Sequence, residues 1–296
     1  MGVRLSIGLL LLSPMFIIAQ NNIKSAEEIA SKNESYVLTD ISFINDAIFM
    51  GRRDSIAAPY IFPSIGYYDK SGFFIDASAS YLTSSDENRV DLFLLSAGYL
   101  FAGDKLSGGI SGTAYFFNGD SYNVRSETVG DISGFLSVDL KALEVSLLAS
   151  TFFNDGSSTD IFGGLMLDRT FYTNDNSFLI NPSISVYAGS QYFYEAYYGT
   201  SRLGNRKGQG TGASEPSVAT AVKIAEASKL NILNVELSLP VQYYHEHFIF
   251  SFSPVLSLPQ SSATITTEDS VITEDLESVF YFSVGVSYWF NTKKSQ

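Results

Sequence analysis

The chain has 296 residues, of which 45% are hydrophobic, 14% aromatic and 17% charged, and it contains no cysteine. The aromatic content excludes a disordered chain, and the missing cysteines exclude both a disulfide scaffold and a thiolate metal site. The 18 basic and 31 acidic residues give a net charge of −13, which argues against a nucleic-acid partner.

The first twenty residues have the layout of a secretory signal peptide. Arg4 precedes an apolar run from Leu5 to Ala19, and polar residues follow. This run is shorter than the roughly 20 residues that a membrane-spanning helix needs. We therefore expect residues 1–20 to be a cleaved signal.

Residues 21–37 are polar, and we expect them to form a periplasmic N-terminal tail. Within this tail, Ser25 and Glu28 could cap a short helix that runs to Lys32. A plug in the lumen of a barrel is the alternative role for this segment.

The rest of the chain is dominated by segments whose side chains alternate between apolar and polar. In the last one, Phe282 and Val284 oppose Ser283 and Gly285, because successive side chains of a strand point to opposite faces. Most segments have 11 to 15 residues, whereas a tilted strand needs only about 9–11 residues to cross a bilayer. The predicted strands are 38–50, 58–69, 72–83, 88–102, 105–118, 127–140, 143–153, 159–170, 177–194, 231–244, 247–258 and 276–290.

The connections between these strands distinguish a membrane barrel from a β-sandwich. Taken in order, the odd-numbered connections contain 7, 4, 8, 5, 36 and 17 residues, and the even-numbered ones contain 2, 2, 2, 6 and 2. Short periplasmic turns that alternate with longer outer loops are typical of transmembrane β-barrels. The sequence therefore predicts an all-β fold, a transmembrane antiparallel β-barrel of twelve strands over residues 38–290, followed by a C-terminal tail, 291–296.

Two features oppose this interpretation. The first predicted strand is interrupted by Asp40, Asn45 and Asp46, and without it the alternation of short and long connections would invert. Prolines also lie inside predicted strands, where each one removes a ladder hydrogen bond. These prolines are Pro59, Pro63, Pro182, Pro240 and Pro254.

The two longest connections carry further expectations. Residues 195–230 have a glycine-rich middle, and Val218, Val222, Ala225 and Lys229 suit either a short helix over the barrel mouth or a strand extension. Residues 259–275 form the other long connection, and we expect their acidic side chains to be a solvated outer face. These side chains belong to Glu268, Asp269, Glu274 and Asp275.

The segment FSVGVSYWF resembles the C-terminal β-signal of outer-membrane barrels, with Gly285, Tyr288 and Phe290 at matching positions. The hairpin PSIGYYDKSGFF and the signal ending IIAQ are similar to outer-membrane β-barrel proteins of the Bacteroidota that have no assigned activity. The resemblance implies a location in the cell outer membrane. The expected partners are outer-membrane lipid, lipopolysaccharide and the barrel assembly machinery.

Catalytic and cofactor motifs are missing from the sequence, so no cofactor is expected. Its two histidines, His245 and His247, would share a face if they lay on one strand and could then bind a metal, but a polar turn at the membrane rim is the simpler interpretation. The H-x-S arrangement typical of outer-membrane phospholipases is not met at either histidine.

Inward-facing carboxylates are the remaining functional candidates. A ring of them would favour cations if water passes through, although the same carboxylates could pair with basic side chains in a closed core. Aromatic residues on the same face favour a narrow or plugged lumen. The acidic candidates are Asp76, Asp131, Asp139, Glu144 and Glu236, and the aromatic residues are Phe74, Phe135, Phe152, Tyr187, Tyr281 and Trp289.

The sequence thus predicts a non-enzymatic barrel that is structural or is a narrow passage for a small solute. Two alternatives remain. One is a lipid-modifying hydrolase at the rim that uses His245 or His247, and the other is a surface-binding protein that uses residues 195–230.

Overall fold

The computed structural model describes residues 34–53, 58–83, 88–119, 121, 123–155, 158–199, 223–266 and 271–292. The predicted signal peptide, the helix expected at 25–32 and most of the glycine-rich part of 195–230 lie outside these residues. Within the described ranges, no helix is long and apolar enough to cross a bilayer.

Antiparallel strands make up nearly all of the described chain, with one helix, α1, at Tyr192–Gly199. The strands are β1 (Tyr36–Ile44), β2 (Tyr60–Tyr68), β3 (Phe73–Thr83), β4 (Asn88–Ala102), β5 (Leu106–Phe117), β6 (Thr128–Asp139), β7 (Glu144–Asn154), β8 (Thr159–Asp168), β9 (Phe171–Tyr172), β10 (Phe178–Ile180), β11 (Ser183–Gly189), β12 (Lys223–Ile224), β13 (Asn231–Ser238), β14 (Val241–His245), β15 (Phe248–Pro259), β16 (Thr264–Thr266), β17 (Val271–Thr273) and β18 (Val279–Asn291).

The strands close into a barrel of twelve positions, which confirms the predicted fold. Around the barrel the order is β1 to β8, then β11, β13, β15 and β18, and β18 pairs again with β1. Short strands extend three of these positions: β9 extends the position of β8, β10 that of β11, and β14 that of β13. Strands β12, β16 and β17 form a separate small sheet.

The two ends of the barrel differ. Residues 69–72, 103–105, 140–143, 173–177 and 246–247 make tight connections at one end, here called the turn end. The other end, here called the loop end, carries six connections: L1 (45–59), L2 (84–87), L3 (118–127), L4 (155–158), L5 (190–230) and L6 (260–278). The four longest connections lie at the loop end, as predicted, whereas L2 and L4 are as short as the tight turns.

The outer surface of the barrel is apolar along every strand position. Large hydrophobic side chains that would be buried in a soluble protein are exposed there, as at Phe73 (64%) and Ile161 (60%). A closed barrel leaves no unpaired sheet edge in hydrocarbon, which is the condition for spanning a membrane with strands. Together these features place the protein in an outer membrane. The belt includes Ile41, Ile65, Ile75, Phe93, Leu95, Ile110, Phe116, Ile132, Leu147, Ile184, Ile232 and Phe280.

Prolines account for most differences between the predicted and observed strands. Pro59 precedes β2, Pro182 separates β10 from β11, and Pro240 separates β13 from β14, because proline cannot donate a ladder hydrogen bond. Pro63 lies within β2, where the ladder to β3 is interrupted, and Pro254 lies within β15.

Two predicted strand ends are wrong, and β1 begins at Tyr36, inside the residues predicted as the N-terminal tail. The first strand ends at Ile44 rather than at residue 50, since residues 45–53 leave the wall and fold into the barrel mouth. The ninth strand ends at Gly189 rather than at residue 194, since Tyr192 begins α1. Of the two alternatives for the segment around Ala225, the described part agrees with the strand extension rather than the helix, because Lys223 and Ile224 form β12.

Candidate functional site

The inner wall of the barrel is rich in serine. Many of these side chains are almost fully buried, including Ser146, Ser257 and Ser133, so the lumen is narrow at their level. Neighbouring serines bond across strands, as between the hydroxyl oxygens of Ser137 and Ser146 (2.7 Å). A wall of this kind offers hydroxyl groups rather than apolar surface to anything that enters.

The five predicted acidic candidates all lie on inward-facing positions, but they do not form one ring. Asp139 and Glu144 are register partners beside the 140–143 turn, so they lie at the turn end. Asp131 lies on β6 towards the loop end, Asp76 lies on β3, and Glu236 lies on β13 on the opposite side of the barrel. Their part in selecting ions stays a prediction.

Two of these carboxylates are held by hydrogen bonds. The hydroxyl of Tyr115 donates to Asp131 Oδ1 (2.7 Å), and the hydroxyl of Ser133 also donates to Asp131. On the other side of the barrel, the side-chain amide of Asn234 donates to Glu236 Oε1 (2.9 Å). These bonds fix both carboxylates in the wall.

Two further carboxylates that were not among the predicted candidates also face the lumen. Asp40 of β1 accepts a hydrogen bond from the Ser287 hydroxyl (2.7 Å) and interacts electrostatically with Asp76. Asp168 of β8 accepts one from the side-chain amide of Asn181 (2.9 Å). Extending the period-two alternation over β1 and β8 would have revealed both, because their neighbours at i ± 2 also face inward.

Basic side chains are scarce on this wall. Among the described residues of the twelve barrel positions, Arg89 alone is basic and faces inward, and its Nε lies 3.0 Å from Asp91 Oδ1 at the loop end. The wall therefore carries a clear excess of negative charge. The inward acidic residues are Asp40, Asp76, Asp91, Asp131, Asp139, Glu144, Asp160, Asp168 and Glu236.

The loop end of the lumen is filled by a hydrophobic cluster that we call the plug. L1, L3 and L5 supply it, and the upper wall residues pack around it. The plug consists of Ile48, Phe49, Met50, Val124, Arg125, Phe193, Tyr194, Tyr197 and Ile224.

One arginine joins three outer loops around the plug. The Nη2 atom of Arg52 in L1 donates to the Ser261 carbonyl oxygen (2.6 Å) and to Glu274 Oε2 (3.0 Å), both in L6. Its guanidinium also lies 5.1 Å from the ring centroid of Tyr194 in L5. The expectation that Glu274 belongs to a solvated face is therefore wrong.

Helix α1 is fixed to the barrel wall by Asp160 of β8. The two oxygens of this carboxylate accept hydrogen bonds from the backbone N–H groups of Tyr192 and Phe193, each at 2.7 Å. The Ser190 hydroxyl (2.6 Å) and the Asn154 amide (2.8 Å) donate to it as well. A carboxylate at this position satisfies the free amides at the start of a helix.

A second aromatic cluster lies at the turn end. Tyr68 stacks between Tyr36 (5.1 Å between ring centroids) and Phe74 (5.7 Å), and Trp289 is buried in the same cluster. All six predicted inward aromatics point into the barrel, and aromatic clusters crowd both ends of the lumen. The inward aromatics are Phe74, Phe135, Phe152, Tyr187, Tyr281 and Trp289.

The two histidines lie at the turn end. His245 is the last residue of β14, Glu246 adopts a positive φ of 54°, and His247 belongs to the tight turn. The turn separates the two residues, so they do not share the face of one strand. The ring of His247 packs 4.7 Å from that of Trp289. Within the described ranges, no group of three or more His, Cys, Asp or Glu residues could hold a metal ion.

The residues of the β-signal resemblance lie on β18, which closes the barrel against β1. Tyr288 and Phe290 face outward near the turn end, while Gly285 faces inward, where a Cβ atom would lie 2.9 Å from Ser251 Oγ. Their role in assembly stays a prediction.

No protein-family model and no curated protein matches the chain. Among solved structures, the KdgM porin is 10% identical with a TM-score of 0.47, covering 85% of this chain and 98% of its own. The NanC porin is 11% identical with a TM-score of 0.47, covering 84% and 98%. LpxR from Salmonella typhimurium is 10% identical with a TM-score of 0.41, covering 86% and 100%.

Proposed function

We propose that the protein is a non-enzymatic outer-membrane barrel that acts as a narrow passage for small, positively charged solutes. The observation that carries this proposal is the charge of the inner wall: among the described residues, nine carboxylates of the barrel strands outnumber the basic groups of the lumen, which are Arg89 on β4 and the plug residues Arg52 and Arg125. Rings and rows of carboxylates favour cations in water-filled pores. The serine hydroxyls between them can replace part of the water around a small cation.

The narrowness of the lumen limits the size of the solute. Inward serines such as Ser146 and Ser257 are almost fully buried, and aromatic clusters crowd both ends. We therefore propose inorganic cations and small amines as the class of solute, rather than large polymers.

Ion selectivity in planar bilayers tests this proposal. Under a gradient of KCl, the native protein is expected to give a reversal potential whose sign shows selectivity for K⁺ over Cl⁻. The double variant Asp139→Asn, Asp168→Asn is expected to shift this potential towards zero, because it removes two inward-facing carboxylates. Asp104→Asn is the matched control, because Asp104 is exposed in a tight turn and lies outside the lumen. An anion-side potential in the native protein would refute the proposal.

The environment of the barrel is proposed on the same grounds. Outer-membrane lipid covers the apolar belt, and lipopolysaccharide surrounds the loop end if the turn end faces the periplasm. We propose that the barrel assembly machinery recognises β18 through Gly285, Tyr288 and Phe290, after removal of residues 1–20. An origin among the Bacteroidota rests on the sequence resemblance alone.

A further inference from the structure

L1 contains a tight hairpin whose tip lies inside the barrel. The backbone N–H groups of Phe49 and Arg52 donate to each other's carbonyl oxygens (2.8 and 2.9 Å) and enclose Met50 and Gly51. Both enclosed residues have positive φ, 50° and 77°. Loop tips normally lie at the protein surface, yet the side chain of Met50 is only 4% exposed.

The hairpin reaches the far side of the lumen. The ring of Phe49 lies 5.9 Å from Phe152 on β7 and 5.5 Å from Phe162 on β8, between ring centroids. Because β7 is six positions from β1 in a ring of twelve, these contacts lie on the wall opposite to the one from which L1 departs. A Cβ atom on Gly51 would lie 2.6 Å from the Cβ atom of Pro259, at the end of β15. The hairpin tip therefore spans the mouth from wall to wall.

An arginine of L3 holds the tip in place while two of its own donor atoms have no hydrogen-bond partner. The guanidinium of Arg125 lies 4.7 Å from the ring centroid of Phe49 and 4.4 Å from that of Phe152, as expected of cation–π contacts. Its Nε and Nη2 atoms are buried and have no hydrogen-bond partner, and the same is true of Nε in Arg52. Buried N–H groups without partners oppose the closed arrangement, and water would satisfy them if the mouth opened.

The backbone conformation at the tip also opposes the closed state. Met50 is not glycine and adopts the left-handed region, which is unfavourable for an L-residue with a long side chain. Packing of Phe49 favours the closed state, whereas the conformation of Met50 and the unpaired donors disfavour it. Opposing contributions of this kind are what a two-state element requires.

We propose that the hairpin formed by residues 48–53 is a gate, which closes the passage at the loop end and withdraws from the lumen when the passage opens. This inference rests on the proposed function and adds its regulation. It also explains why a lumen lined with carboxylates and hydroxyls is sealed on one side by apolar side chains.

Conductance of the full-length protein in planar bilayers tests the gate, with native protein, Phe49→Ala and Phe171→Ala compared at one voltage and one salt concentration. Phe171 provides the matched control, since it undergoes the same change on the outer surface of the turn end. Loss of the Phe49 ring is expected to raise the open probability by about tenfold, because it weakens the closed state alone. The Phe171 variant should behave like the native protein. Altered gel mobility on heating shows that each barrel is folded.

Three outcomes distinguish a failure of the gate proposal from a failure of the passage proposal. Equal conductance of folded Phe49→Ala and native protein overturns the gate and leaves the passage intact. A variant that lacks residues 48–53 and conducts far more than the native protein supports both proposals. A folded variant of this kind that remains silent overturns both, since the passage would then be closed without the hairpin. If this deletion does not fold, the comparison of Phe49→Ala with the native protein decides for or against the gate.

Discussion

The role of each aspartate in this barrel depends on its position along the backbone. Asp175, in the 173–177 turn, accepts hydrogen bonds from the Thr173 hydroxyl (2.6 Å) and from the Ser177 N–H group (3.1 Å). On the wall, the same residue type caps a helix at Asp160 and faces the lumen at Asp76. Asp175 is bonded within its own turn, whereas Asp160 is bonded to backbone amides at the start of α1.

The turn at Asp175 leads to a prediction about pH. The Thr173 hydroxyl, followed by the N–H and hydroxyl of Ser177, lowers the pKa of Asp175 to about 2. Because the pKa is lowered in the folded state, the carboxylate stabilises the turn at pH values above its unfolded pKa of about 3.9. This contribution is lost as the pH falls through the folded pKa. Carboxyl-carbon NMR should show a titration midpoint well below the unfolded value. Thr173→Val should raise this midpoint, because it removes the hydroxyl donor, and an unchanged midpoint would contradict the assignment.

At the scale of elements, one side chain of the barrel wall fixes the start of α1. Its eight residues are too few for a stable isolated helix, so the hydrogen bonds from Tyr192 and Phe193 to Asp160 fix where it begins. The carboxyl of Glu195 in the same helix accepts a hydrogen bond from the Ile224 N–H group (2.8 Å). The helix therefore joins the wall to the small outer sheet.

Asp160→Ala is expected to release the start of α1. Loss of a capping carboxylate costs about 1–2 kcal/mol, which corresponds to a roughly 5–30-fold rise in local opening. Amide hydrogen exchange at Tyr192 and Phe193 should accelerate to this extent. Asp155→Ala, at an exposed position of L4, should leave these two amides unchanged. Equal protection in both variants would show that packing, rather than the carboxylate, holds the helix.

The sequence predicts the wall much better than the mouth. The strand segments and the inward position of Asp131 or Glu236 follow from alternation, which is a local property of the backbone. The hairpin at Phe49 could not be predicted, because the segment FINDAIFM continues the apolar character of β1 and its contacts lie on β7 and β8, more than a hundred residues away. The first three residues of helix α1 fall within the predicted ninth strand, because its aromatic residues suit either structure and its cap, Asp160, comes from another element.

For the whole molecule, stability depends on the match between the apolar belt and the bilayer. Ile132 lies in the middle of β6 and is 53% exposed, while Leu140, just beyond the end of the same strand, is 56% exposed. The two positions differ in depth rather than in exposure. This pair therefore separates the effect of the membrane from that of ordinary surface substitution.

Arginine at the two positions should have unequal effects on unfolding in lipid vesicles. Ile132→Arg is expected to lower the free energy of unfolding by about 2–4 kcal/mol, and Leu140→Arg by about 0–1 kcal/mol, because the cost of a charge falls from the midplane to the interface. Denaturant titration of refolded protein measures both values. Similar values for the two variants would contradict the proposed position of the barrel in the membrane.

The seam between β1 and β18 determines when the molecule can form. Residues Tyr36–Ile44 pair with Ser283–Asn291, and the Ser287 hydroxyl bonds to Asp40 across 247 residues of sequence. Contacts between such distant segments form slowly, because the entropy of closing the intervening chain must be lost first. A nascent chain that has not yet released its last strand cannot complete the cylinder. Closure of the barrel must therefore wait for the end of synthesis and export. The apolar strands need protection from aggregation during that delay.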